Sequence, residues 1–147
     1  MVARPDQKNT VLLAICLLHC PFLFIHIKGP SILFHVFIAS RPIIPPLRHR
    51  MPLPSHPLFL AAQQHARNDS EKIAIVDITK QQSFTFTQLL EDAASLRDHI
   101  LEVLELAAVG DLDERRVAFL VPNGYDYVVT QWATWAAGGV SVPLCQC

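Results

Sequence analysis

The sequence lacks the marks of several common protein classes. Its four cysteines include no C-x-x-C pair. Cys16 and Cys20 lie in an apolar run and Cys145 and Cys147 at the extreme end, so spacing gives no disulfide framework. They read as buried or unpaired thiols of a reducing compartment. The seven histidines form no H-E-x-x-H and no paired Cys/His spacing, which removes the usual zinc patterns. No lysine follows a glycine-rich loop: the four are Lys8, Lys28, Lys72 and Lys80. A backbone cradle for phosphates needs successive small residues, and Gly138-Gly139 is too short for one. No uninterrupted apolar run reaches the roughly 20 residues of a spanning helix.

What is present divides into two unlike parts. Residues 1–50 carry six basic residues and one acid, about +5. Residues 51–147 carry six basic residues and twelve acids, about −6. This split predicts a leader followed by a soluble body. The acidic body offers no basic patch to neutralise phosphates, which argues against nucleic acid as a partner. In the leader, Val11 to Ile27 is apolar over 17 residues but broken by His19, Pro21 and His26. Three readings stay open: a signal peptide or anchor with membrane contact through 11–39, a mitochondrial transit segment, or a stretch not normally part of the protein, since Met51 is the only other methionine. Asn68-Asp69-Ser70 has the N-glycosylation pattern, which matters only under the first.

The body reads as alternating elements. Met51 to Pro57 is proline-rich and extended. Leu58 to Ala66 suits a short helix, with Leu58, Ala61 and Ala62 on its packed side. Lys72 to Ile78, KIAIVDI, and Ser83 to Phe86, SFTF, predict the two strands of a β-hairpin. Thr85 and Gln88 have capping-box spacing. Leu89, Ala93, Leu96, Ile100, Val103 and Ala107 then recur in steps of three and four, one stripe of a long helix. Glu91, Asp92, Arg97, Asp98, Glu102 and Glu105 lie off that stripe and read as a solvated face. RVAFLVP at 116–122 is the near-continuous apolar run of a strand covered on both faces. Asn123 is a candidate N-cap, and Tyr125, Val128, Val129, Trp132 and Trp135/Ala136 form a second core stripe. Gly138 suits the left-handed position that closes a helix, and VSVPL at 140–144 predicts the next strand. The last third is therefore a βαβ unit with parallel strands. Two parallel strands need further strands and helices as cover, so more sequence is expected.

These residues resemble the start of the adenylate-forming acyl-CoA synthetases. The resemblance rests on KIAIVDITKQQSFTF, on TFTQL where the family has TY-x-E-L, on RVAFLVPN, and above all on WAAGGVSVPL. YVVTQWATWAAGGVSVPL is similar to the malonyl-CoA synthetase branch. The likeness covers about 56–144 and leaves residues 1–50 outside it. It implies an α/β fold, an incomplete N-terminal portion of the large domain: hairpin, helix, then βαβ, after an apolar leader. It divides the chain into a leader at 1–50 and a partial AMP-binding domain at 51–147. It implies, for the full-length family, activation of a carboxylic acid with ATP and Mg, then transfer to coenzyme A, with malonate or a fatty acid as substrate. The family's phosphate loop, nucleotide-holding residues and catalytic lysine lie downstream. No catalytic, cofactor-binding or metal-binding residue is therefore carried over, and no cofactor is assigned to this stretch.

The leading expectation is an N-terminal fragment of an AMP-dependent acyl-CoA synthetase, inactive and poorly stable alone, whose partner is the C-terminal remainder of the enzyme. Trp132, Trp135 and the 116–122 strand are the places expected to lack cover. The alternatives are a non-catalytic membrane-anchored or interaction protein reusing the scaffold, and a chain that self-associates through exposed sheet edges. A mitochondrial or cytoplasmic location follows from the resemblance, and a membrane one if the leader is an anchor.

Overall fold

The computed structural model describes residues 10–15, 26–28, 32–37 and 52–144. Three short strands come first, β1 (Thr10–Ile15), β2 (His26–Lys28) and β3 (Ile32–Phe37). There follow α1 (Pro57–Asn68), β4 (Ile73–Asp77), β5 (Gln82–Thr85), α2 (Phe86–Val103), β6 (Arg116–Phe119), α3 (Tyr125–Ala136) and β7 (Val140–Pro143). One sheet has the order β2-β3-β1-β6-β7, and β4 and β5 form a separate antiparallel pair. Strands β6 and β7 are parallel, with Arg116 beside Val140 and Phe119 beside Pro143. Helix α3 joins them, as the βαβ reading requires.

The apolar leader supplies strands. β1 runs parallel to β3 and, through Val11 beside Val117, parallel to β6. Among the described residues no helix is long and apolar enough to cross a membrane. The 116–122 strand is shorter than expected and well covered: Val117, Ala118 and Phe119 are all buried. Val117 and Phe119 pack with Ile100, Leu101, Leu112, Ala133 and Ala137, so the core lies where α2 and α3 lie against the sheet.

Local signals explain the ends of α2 and α3. Thr85 N–H donates to Gln88 Oε1 at 2.9 Å and Gln88 N–H donates to Thr85 Oγ1 at 3.2 Å, which completes the capping box. Helix α2 stops at Val103, so Ala107 falls in the exposed turn beyond the stripe. At the end of α3, Gly139 N–H reaches Thr134 O (2.9 Å) and Gly138 N–H reaches Trp135 O (3.0 Å). That pair of bonds is a Schellman closure, and Gly138 takes the left-handed φ of 74° that it needs.

Four expectations are corrected. In α1 the buried residues are Phe59 and Ala62, while Ala61 is exposed, because the helix meets α2 through Leu90. Arg97, expected on a solvated face, is only 2% exposed. Its Nη1 donates to Pro52 O at 2.9 Å, and its Nε and Nη2 donate to Asp98 Oδ1 at 2.9 and 2.6 Å. The extended segment before α1 crosses α2 there and covers it. Trp135, placed on the core stripe as an alternative to Ala136 and also among the sites expected to lack cover, is 40% exposed; Trp132 is half-buried, edge-on to Phe59 at 5.6 Å. Ala136, four residues on from Trp132, fills the stripe position and is buried. Finally, the N-cap of α3 is Gly124, and no side chain next to it in sequence does the capping.

Candidate functional site

The start of α3 carries the densest polar cluster among the described residues. Gly124 has φ 155° and ψ −161°, a conformation reserved for glycine. A Cβ there would stand 2.6 Å from Asp77 Oδ2. The space is taken because Asp77, at the end of β4, accepts from Tyr125 N–H at 2.9 Å. Its other oxygen, Oδ1, accepts from Lys80 N–H at 3.0 Å in the hairpin turn. The Tyr125 bond, then the Lys80 bond, hold the Asp77 carboxyl below its ordinary pKa against the opposing effect of burial. Lys80 Nζ returns to α3 and meets Asp126 Oδ2 at 2.6 Å, an exposed pair. The hairpin thus gives an acid to the helix and takes one from it.

Aromatic packing lies beneath this clasp. Phe84 of β5 stacks on Tyr125 with ring centroids 3.6 Å apart and planes 8° off parallel. Tyr125 O–H donates to Asp92 Oδ2 of α2 at 2.7 Å. Burial first, and the Asp92 bond second, push the Tyr125 phenol well above its ordinary pKa. Leu89 and Val129 complete the buried cluster, with Ala74, Ile75 and Phe84 against it.

A groove of about 600 Å³ lies on another face, lined by Pro54, His56, Leu58, Phe59, Asp111 and Trp135 among others. Asp111 Oδ1 accepts from Asp113 N–H at 2.8 Å, which fixes the loop after α2. The same oxygen stands where a Cβ on Gly138 would be, 2.1 Å away. The groove gathers apolar surface with one carboxylate and one imidazole.

Several donors that could meet a phosphate, including both described lysines, are already engaged. The first N–H of α3 is taken by Asp77, and the N–H groups of Gly138 and Gly139 close their own helix. Lys72 Nζ lies 3.0 Å from His65 Nδ1, and Lys80 is held by Asp126. No group of three or more metal-capable side chains occurs among the described residues. Cys145 and Cys147 lie outside those residues. The polar residues that the sequence reading missed are Asp77 and Arg97. Asp77 had one signal, a lone acid in an apolar strand; Arg97 had none, since its spacing is that of a surface position.

Comparison with known proteins fits this scaffold. The sequence pattern described as "AMP-binding enzyme" matches residues 62–146. The mouse (Mus musculus) protein named Malonate–CoA ligase ACSF3, mitochondrial, is 40% identical over 90 residues, which is 61% of this chain and 14% of the mouse protein. The human (Homo sapiens) protein of the same name is 40% identical over 74 residues, 50% of this chain and 12% of its own length. A CoA ligase of Gibberella moniliformis (strain M3125 / FGSC 7600) is 32% identical over 81 residues, 52% of this chain and 13% of its own. The chain thus spans about a seventh of the mouse relative it matches. Because the matched stretch takes in α2, the βαβ unit and the Gly138-Gly139 closure together, the chain belongs to the AMP-binding enzyme family.

Proposed function

We propose that this chain supplies the N-terminal scaffold of the large domain of an AMP-dependent acyl-CoA ligase, with malonate as the acid activated. In this reading residues 51–147 are part of that domain and residues 1–50 a leader. ATP, Mg and coenzyme A are held by the remainder of the enzyme, and the chain alone is inactive. What carries the reading is the family match over 62–146 together with the relatives' names as malonate–CoA ligases. The Tyr125 N–H, held by Asp77, and the Gly138 and Gly139 N–H groups, which close their own helix, support the division of labour. A mitochondrial location follows if the chain shares the placement in its relatives' names.

The test is ATP–pyrophosphate exchange with malonate. The full chain is expected to show none. The same chain joined in register to the part of the mouse relative that follows its matched segment is expected to exchange. Exchange by the chain alone overturns the scaffold reading, and a folded chimera without exchange overturns the ligase reading.

A further inference from the structure

Asn123-Gly124 is the one place in the sequence where an asparagine precedes a glycine. The pair lies in the loop between β6 and α3, with Asn123 exposed and Gly124 half-buried. Asn123 has the chemistry of an N-cap. That role is already filled from the hairpin, because the Tyr125 N–H donates to Asp77 Oδ2 at 2.9 Å. Helix α3 therefore starts with no side-chain cap from its own loop. Among the described residues, no hydrogen bond holds the Asn123 carboxamide or the Gly124 N–H.

An asparagine carboxamide next to such an N–H is a reactive pair, and asparagine is among the heat-labile side chains. Glycine has no Cβ to keep the carboxamide carbon away from its own nitrogen. The other described asparagine is the opposite case. Asn68 ends α1 and is followed by Asp69, whose N–H donates to His65 O at 3.0 Å. There the neighbour carries a Cβ and its nitrogen is engaged. Asn9 lies outside the described residues.

We propose that Asn123 is a self-modification site, where the Gly124 nitrogen attacks the Asn123 side-chain carbon and the product loosens the clasp on α3. The Gly124 nitrogen loses its proton to water and bonds to Asn123 Cγ. The bond from Cγ to the amide nitrogen breaks, and that nitrogen takes a proton from water and leaves as ammonia. Water then opens the cyclic imide at either carbonyl. One opening gives aspartate on a normal main chain; the other gives isoaspartate, with the main chain running through Cβ. Water is the only co-reactant. Aspartate there places a negative charge at the positive end of the helix and leaves the main chain as it was. Isoaspartate lengthens the main chain by one carbon immediately before Gly124. Gly124 has no slack to absorb it, since a Cβ on it would already stand 2.6 Å from Asp77 Oδ2. The Tyr125 N–H is then drawn off Asp77, and the stack of Tyr125 on Phe84 opens with it. The inference is independent of the ligase reading.

The test ages the purified full chain at neutral pH and body temperature. Peptide mapping with mass detection separates amide, aspartate and isoaspartate at each asparagine. Asn123 is expected to convert at least tenfold faster than Asn68, whose neighbour is shielded by a Cβ. The Asn123 rate is expected to rise with pH, because the attacking nitrogen must lose its proton. Conversion no faster than at Asn68, or a rate flat with pH, overturns the proposal. The consequence for the clasp is read separately. The purified isoaspartyl form is expected to melt several degrees below Asn123→Asp, which carries the same charge on a normal main chain. Equal midpoints overturn the link to the clasp. Asn123→Ser has no carboxamide and is expected to hold its midpoint through the ageing that lowers the wild type's. An equal decline in both places the damage at another residue and overturns the proposal.

Discussion

Asp77 caps a helix that begins 48 residues later: its Oδ2 accepts the N–H of Tyr125 at 2.9 Å. The bond ties the hairpin to the βαβ unit at the point where Gly124 leaves no room for a side chain. A cap of this kind serves the same orphan N–H that a neighbouring serine or aspartate would serve. Here the acceptor comes from another element, so the cap forms only once the hairpin has docked.

Asp77→Asn is expected to lower the denaturation midpoint of the chain and to flatten its dependence on acid pH. The folded pKa of Asp77 is depressed below the ordinary 3.8. A depressed carboxylate contributes stability that is complete above its unfolded pKa and is lost as pH falls through the folded one. The difference between wild type and Asp77→Asn in urea melts should therefore be constant from pH 5 to 7 and shrink below about 4. A difference that grows on acidification would contradict the assignment.

Gly124→Ala should destabilise strongly, because the new Cβ meets Asp77 Oδ2 at 2.6 Å in a backbone region closed to alanine. Asp77→Ala in the same chain removes the clash but not the backbone strain. The double variant is expected to lose less than the sum of the two singles. Strict additivity in a double-mutant cycle would show that the two residues are not in contact.

Arg97→Lys should cost about 1.5–3 kcal/mol, the range for hydrogen bonds to charged groups. An ammonium cannot reproduce a fork that reaches Pro52 O and Asp98 Oδ1 together. The released segment should become a protease site, so limited digestion that cuts between residues 52 and 56 faster than in wild type is the readout. Unchanged cleavage would mean that Arg97 does not hold that segment.

Tyr125 should titrate late. Burial, then its bond to Asp92, raises the folded pKa above 10. A group raised in this way adds stability that is present below its unfolded pKa and lost as pH rises through the folded one. Absorbance at 295 nm of wild type minus Tyr125→Phe is expected to have its midpoint above pH 10. A midpoint at or below 10 would place the phenol in water.

Gly138→Ala adds a left-handed penalty of roughly 1–2 kcal/mol. It also adds a contact with Asp111 Oδ1, 2.1 Å from the new Cβ. Asp111→Ala should recover the contact and leave the penalty, measurable as a partial rescue of the thermal midpoint. Full rescue would mean that the backbone at 138 is not left-handed.

The sequence reading located α1, the hairpin, α2, the βαβ unit and the closure at Gly138, because each rests on signals within a few residues. The capping box of Thr85 and Gln88 and the Schellman bonds of Gly138 and Gly139 are local chemistry. The family resemblance was equally legible, since WAAGGVSVPL is one contiguous stretch. The apolar leader was harder to read. A run such as VLLAIC suits a strand or a buried helix until its neighbours are known, and in the fold part of it lies beside β6 as β1.

By itself the sequence determined the order and kind of elements from residue 57 onward, and the family they belong to. Periodicity and capping act along the chain, over distances that a window of a few residues contains. Only the tertiary structure decided which polar side chains are buried and which apolar ones are not. Arg97 is enclosed because Pro52 crosses its helix, Asp77 because α3 begins against it, and Trp135 stays partly open because it lines the groove beside α1. Each outcome depends on what comes to lie opposite the residue in space, and spacing along one element carries no record of that.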